Sequence, residues 1–272
     1  MTHHAQPLQR GLTGGRDSAA ARRTAARLGR AYGGRRAVPP TVGGVVLVLP
    51  DGVPESERGH SPWALLPTLP LGRALARAGR AEGLLVLPVR YGCRGWNGDR
   101  AGLAVDAARA ADEVVREYGD VPVCLVGHGL GGRAALRAAG HSAVSSVLAM
   151  APWLPTAESC EAPEPEPVKQ LVGRRVMIVH GTNDERSCPD LSYRLAERAK
   201  KVNRDICRFE VHTDGHALRQ HHAEVLALAV DFVIGSLFPQ PYSRPVADAL
   251  AAPPPLGLRM PLAAGFGKSL RP

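Results

Sequence analysis

Three turns in this 272-residue chain carry side chains able to do chemistry. The first is Gly127-His128-Gly129-Leu130-Gly131-Gly132, a glycine-rich bend between an apolar run and a helical stretch. The other two hold an acid, Asp184, and an imidazole, His216, each a few residues past an apolar run. A carboxylate that fixes the tautomer of an imidazole makes a general base, and a reference pKa of about 6.5 suits the imidazole to neutral pH. Taken one at a time, Asp184 is an ordinary loop acid and His216 an ordinary surface histidine. Gly127, Gly129 and Gly132 also spell G-x-G-x-x-G, which lets a dinucleotide's phosphates approach a helix N-terminus. That alternative expects an acid about 20 residues on for the ribose hydroxyl, and Val144–Met150 holds none. His212, His216, His221 and His222 cluster without a carboxylate or cysteine at ligand spacing, so neither a metal nor a cofactor is expected. Ser187, Cys188 and Cys93 lie in cleft-edge turns and are weak alternatives for a displaced nucleophile.

These turns need a frame to hold them. Apolar runs at Gly44–Leu49, Leu84–Val89, Val121–Val126, Val144–Met150, Arg175–Val179 and Ile206–Val211 are near-continuous in hydrophobicity. That pattern predicts strands buried on both faces of a parallel sheet. Longer stretches between them predict helices over Ala64–Ala81, Val105–Tyr118, Leu130–Ala139, Pro189–Val202 and His221–Phe238. In the second of these, Val105, Ala108, Ala111, Val115 and Tyr118 form the expected apolar side. Strand–helix alternation of this length gives a doubly wound α/β fold with a mostly parallel sheet of about six strands. Ligands of such sheets bind outside the carboxyl ends of the strands, where all three turns fall.

The segment VCLVGHGLGGRAAL closely resembles the nucleophile elbow of α/β-hydrolase-fold serine esterases and dienelactone-hydrolase-like proteins. The elbow there commonly reads V-G-H-S-x-G-G, so this chain carries Gly129 at the serine position. His180-Gly181-Thr182-Asn183-Asp184 resembles the family's H-G-x-x-D turn, and Asp214-Gly215-His216-Ala217 stands where the family places its histidine. The resemblance covers about residues 43–238 and implies a remnant dyad of Asp184 and His216 beside a vacant nucleophile position, Gly129. It also implies an oxyanion hole built from the N–H of Leu130 and a donor from Gly52 or Val53. The family usually has His-Gly in the latter loop. Here it reads Leu49-Pro50-Asp51-Gly52-Val53, which removes one N–H and brings in a negative charge. His128 matches a position used for packing or hydrogen bonding, and His180 a structural one. No large cap follows Val144–Met150, only the Pro/Glu-rich Pro155–Pro167, so an open cleft is expected.

Composition sets the remaining bounds. The net charge of +9 is uneven: residues 1–40 contribute +7, residues 239–272 contribute +3 and the body −1. The body therefore offers no basic face for a specific nucleic-acid partner. No run approaches the ~20 apolar residues of a membrane span, and no secretory h-region opens the chain. Five scattered cysteines without a CxxC argue against a disulfide framework, and a reducing cytoplasm is the expected location. With 4% aromatic content, Trp63, Trp96 and Trp153 read as packing or cleft-wall residues rather than a stacking platform. The expected organisation is an Arg/Ala/Gly-rich disordered arm over 1–40, with a short helix around Ser18–Arg30, then a hydrolase-like domain over 41–238 and a Pro-rich disordered tail over 239–272. The expected function is a catalytically impaired, ligand-binding or regulatory member of the fold that takes a small molecule in an open cleft. A homo-oligomer is compatible with this reading. The alternatives are an ester or lactone hydrolase whose dyad activates water, and a phosphate-binding protein using the Gly127–Gly132 turn.

Overall fold

The computed structural model describes residues 26–34, 38–59, 61–156 and 165–268. Each of the six apolar runs becomes a strand, because a segment hydrophobic at consecutive positions needs a packed layer on both faces. These strands are β2 (Gly44–Leu49), β3 (Leu84–Arg90), β4 (Val123–His128), β5 (Val144–Met150), β6 (Arg175–Gly181) and β7 (Ile206–Val211). Two short strands extend the sheet, β1 (Arg27–Leu28) at one edge and β8 (Met260–Pro261) at the other. The order is β1-β3-β2-β4-β5-β6-β7-β8, with β1 antiparallel to β3 and all other neighbours parallel. The helices are α1 (Leu69–Ala78), α2 (Gly102–Tyr118), α3 (Leu130–Ala138), α4 (Pro189–Lys200), α5 (His222–Leu237) and α6 (Arg244–Ala251).

Alternate strand residues divide between two cores. Val45, Leu47 and Leu49 join Leu125, Leu103, Leu136 and Leu195 beneath α2, α3 and α4. Val46 and Val48 join Val126, Leu75, Leu228 and Phe232 beneath α1 and α5. The chain leaves β2 for β3 on one side and crosses back to β4 on the other. This reversal opens a crevice at the carboxyl ends of β2 and β4. Among the described residues, no large cap stands over it.

Several expectations change in detail. The helix expected over Ala64–Ala81 is a 3-10 segment, Pro62–Thr68, followed by α1. Pro67 and Pro70 lack the N–H that a continuous α-helix would need there. The apolar side of α2 is also rotated from the expected one. Val105 and Val115 are largely exposed, whereas Leu103, Ala107, Ala110, Ala111 and Val114 are buried. The three alanines let the helix lie close to the sheet, with Leu103 and Val114 filling the core at its two ends.

The sheet has eight strands rather than about six because both flanking segments contribute to it. The expected C-terminal tail packs instead of trailing. Val246 and Ala249 of α6 and Leu258 are buried, and Phe209 of β7 pairs with Met260 of β8. Apolar residues at helical spacing outweigh the prolines around them. At the other end, Arg27-Leu28 is extended and Tyr32 is buried, with its hydroxyl 2.6 Å from Thr68 Oγ1. The boundary expected at residue 41 is therefore too late. Most of the expected arm, residues 1–25, lies outside the described residues, as does the first part of the helix expected over Ser18–Arg30; its last residues are not helical.

Candidate functional site

The glycine-rich turn is a sharp strand-to-helix bend. β4 ends at His128, α3 begins at Leu130, and Gly129 between them has φ 57° and ψ −124°. A β-carbon is strained in this region of backbone space. The bend also brings β4 and α3 so close that a β-carbon on Gly127 would strike the main chain of Gly131. A β-carbon on Gly129 would meet a side chain, 2.5 Å from Cγ of Asp51 and closer still to Oδ1.

Register explains that meeting. Leu49 of β2 pairs with Gly127 of β4, so Asp51 and Gly129 each lie two residues beyond a paired position on adjacent strands. Asp51 Oδ1 accepts hydrogen bonds from the N–H of Leu130 and of Gly52, each at 2.8 Å. These are two of the three donors expected to form an oxyanion hole. The third, Val53, is not available: its N–H donates to Arg94 O at 2.9 Å. Asp51 Oδ2 faces Arg186 Nη2 at 3.3 Å and His216 Nε2 at 3.8 Å. Burial alone would raise the Asp51 pKa, but the neighbouring His216, the hydrogen bonds from Leu130 and Gly52 and the charge of His128 lower it instead.

Asp184 and His216 meet as the resemblance implies. Asp184 follows β6, and its Oδ1 accepts from the N–H of Arg186 at 2.8 Å and of Ser187 at 3.0 Å. Its Oδ2 accepts from His216 Nδ1 at 2.9 Å, Ser187 Oγ at 2.7 Å and His180 Nε2 at 3.1 Å. Burial opposes ionisation of this carboxyl, yet its hydrogen bonds hold it far below the usual carboxylate range. Asp214 braces the loop that carries His216, accepting from the N–H groups of Gly215, Arg219 and His221. Thr213 and Leu218 in the same loop have φ of 62° and 49°, a left-handed backbone that this bracing helps to enforce.

His216 consequently lies between two carboxylates. Burial would lower its pKa, but the hydrogen bond to Asp184 and the nearby charges of Asp184 and Asp51 raise it to about 9. Its Nε2 is buried without a hydrogen-bond partner. His128 Nε2 donates to the main-chain oxygen of His216 at 2.7 Å, and burial together with the charge on His216 lowers the His128 pKa.

The displaced-nucleophile alternatives are poorly placed. Ser187 Oγ lies 3.0 Å from His216 Nδ1, on the side bonded to Asp184 and away from the Nε2 that a nucleophile would use. Cys93 is buried and hydrogen-bonded within its own turn. Cys188 is exposed where α4 begins. Trp96 is a packing residue, 3.9 Å beneath the Arg133 guanidinium, while Trp63 is 75% exposed.

A cavity of about 510 Å³ opens beside the site. Its wall is mainly apolar, with Leu49, Leu71, Val126, Met150 and Leu218, and Asp51 and His128 supply polar groups. Sequence reasoning identified Asp184, His216, Gly129, Leu130, Gly52 and His128 at this site. It placed the charge of Asp51 near the oxyanion hole but missed that this carboxylate takes the N–H groups of Leu130 and Gly52 and stands against Gly129, and it missed the contacts of Arg186. Strand pairing could have set Asp51 against Gly129, since Leu49 of β2 pairs with Gly127 of β4.

Solved structures of esterases and serine hydrolases share this architecture. An esterase of Pyrococcus furiosus, Pf2001, superposes with a TM-score of 0.58 at 15% identity, over 72% of this chain and 83% of its own. TT1662 of Thermus thermophilus, described by that name alone, also shares the architecture, with 0.55 at 19% identity, over 79% and 99%. XC6422 of Xanthomonas campestris, described as an α/β serine hydrolase without a lid, gives 0.52 at 18% identity, over 75% and 86%. No protein-family model matches the sequence, and no curated protein matches it. At these identities the likeness establishes the fold, that of the α/β hydrolases.

Proposed function

We propose that this α/β-hydrolase-fold protein does not carry out serine-type ester hydrolysis and instead binds a small, largely apolar molecule in the cavity beside Asp51 and His128. The observation that carries this reading is the Asp51 carboxylate, which fills the place of a nucleophile's side chain and takes two main-chain donors at 2.8 Å. An oxyanion developing on a substrate would have to displace a full negative charge from those donors. Gly129 offers no atom to form an acyl-enzyme.

The rival in which the dyad activates water is disfavoured by charge. A base with a pKa of about 9 is deprotonated in about one molecule in a hundred at neutral pH. The phosphate-binding rival meets the same obstacle as the oxyanion, because Asp51 already occupies the N-terminus of α3.

The test pairs binding with turnover in EDTA-treated protein. The fluorescent probe 1-anilinonaphthalene-8-sulfonate should bind saturably and about tenfold more weakly to Ala64→Trp, which fills the cavity wall. Hydrolysis of p-nitrophenyl acetate should stay at the buffer rate. Saturable hydrolysis that disappears in His216→Ala would instead establish the water-activating hydrolase.

A further inference from the structure

We propose that Asp51, His128 and His216 form a binding site for a divalent transition-metal ion of the zinc class, at the position a serine hydroxyl would otherwise occupy. One ring nitrogen of each histidine and one carboxylate oxygen of Asp51 lie within 4.8 Å of one another. The separation between Asp51 Oδ2 and His216 Nε2 is 3.8 Å. Ligands about 2.0–2.2 Å from a tetrahedral ion stand roughly 3.4 Å apart, so this edge needs to close by only a few tenths of an ångström.

The orphaned nitrogen points the same way. His216 is nine-tenths buried, and its Nε2 has no hydrogen-bond partner although it is aimed at Asp51. A polar atom buried without a partner costs free energy unless something binds it. A cation between Nε2 and Oδ2 would satisfy both.

The surrounding contacts fix each ligand as metal sites require. A metal-bound histidine generally donates its other ring N–H to a carboxylate or a main-chain carbonyl. His216 does so through Nδ1 to Asp184 Oδ2 at 2.9 Å, so a cation that displaces the Nε2 proton into solvent finds the Nε2 lone pair directed at Oδ2. His128 does so through Nε2 to the His216 carbonyl at 2.7 Å, which leaves the lone pair on Nδ1. Asp51 is held by Oδ1 on two main-chain N–H groups, so Oδ2 is the oxygen that coordinates. Arg186 is the adverse charge, 3.3 Å from Oδ2. Its side chain is 67% exposed and can swing into solvent.

Two imidazoles and one carboxylate suit zinc, cobalt or ferrous iron rather than magnesium or calcium. Three protein ligands leave a fourth position open. The cavity reaches Asp51 and His128, so water or an oxygen of the bound molecule can fill it. The glycine gains a reason as well, since a side chain at 129 would collide with the coordinating carboxylate. The cation site does not depend on what occupies the cavity, and metal alone tests it.

The experiment uses full-length, chelator-stripped protein titrated with zinc chloride by calorimetry and with cobalt chloride by visible absorption. The expected result is one site per chain with the intense visible band of tetrahedral cobalt. Asp51→Asn keeps the acceptor for both N–H groups and should remove the band and the stoichiometric heat. Asp184→Asn should weaken binding about 10–100-fold while leaving one site. His212→Ala, outside the triad, should bind as the parent does. No cobalt band in the parent, or binding equally tight in folded Asp51→Asn, overturns the proposal.

Discussion

The Asp51 carboxylate stands on the spot where a β-carbon of Gly129 would project. One residue is therefore defined by the other: the side chain missing from the elbow is replaced by one reaching across from the neighbouring strand.

Gly129→Ser should be destabilising by itself. The left-handed backbone at φ 57° costs a β-carbon about 1–3 kcal/mol, and displacement of Asp51 from its two N–H donors adds to that. The single variant should melt below the parent and stay unlabelled by a fluorophosphonate. Combining it with Asp51→Ala should recover part of the lost stability and permit labelling at residue 129. A double-mutant cycle by thermal melting measures the coupling, and additive effects would separate the two residues.

Stability of the chelated protein should fall as pH rises from about 6.5 to about 9. The folded pKa of His216 is raised to about 9, so its contribution is complete below the unfolded value of about 6.5 and is lost as pH climbs through the folded one. A shift of this size corresponds to on the order of 3 kcal/mol. The groups facing the imidazole are Asp184, Asp51 and His128, with Arg186 on the far side of Asp51. Urea melts across that range should show the slope, and His216→Gln should flatten it. Asp184 acts oppositely: its depressed pKa contributes stability above about 3.9 that is lost as the solution is acidified.

Glu166→Ala should be among the most damaging changes away from the site. Its buried carboxylate pairs with Arg133 at 2.8 Å and Arg137 at 2.6 Å, and Arg133 is itself nine-tenths buried. Removing the acid breaks a buried ion pair with Arg133, a change worth about 3–5 kcal/mol. Chemical denaturation should show this loss, and a loss under 1 kcal/mol would mark the pair as replaceable by solvent.

Truncation after Phe238 should lower the melting temperature and promote self-association. It removes α6 and strips β8 from β7, opening the β7 edge to pairing with another chain. Size-exclusion chromatography and a thermal melt check both effects. An unchanged melt would make the segment dispensable.

The central strands were legible because β2, β3 and β4 are apolar at nearly every position, which only a doubly covered sheet accommodates. The three turns were legible because glycine, acid and histidine each followed such a run. The face of α2 was misread because an apolar stripe can be drawn through either Val114 or its neighbour Val115, and the structure buries Leu103, Ala107, Ala110, Ala111 and Val114. β1 and β8 span two residues each, too short for any periodic signal. The Asp51 contact depends on register between strands 79 positions apart in sequence. The grouping of Asp51, His128 and His216 comes from two loops and the end of β4, so no spacing along the chain announces it.

The shared register of Asp51 and Gly129 also bears on how this site can evolve. A serine arriving at 129 meets an occupied position, and loss of Asp51 alone leaves an elbow without a nucleophile. Neither single replacement recreates an esterase. The two changes must arrive together or in an order that passes through a less stable intermediate, so the present arrangement works as a ratchet against reversion.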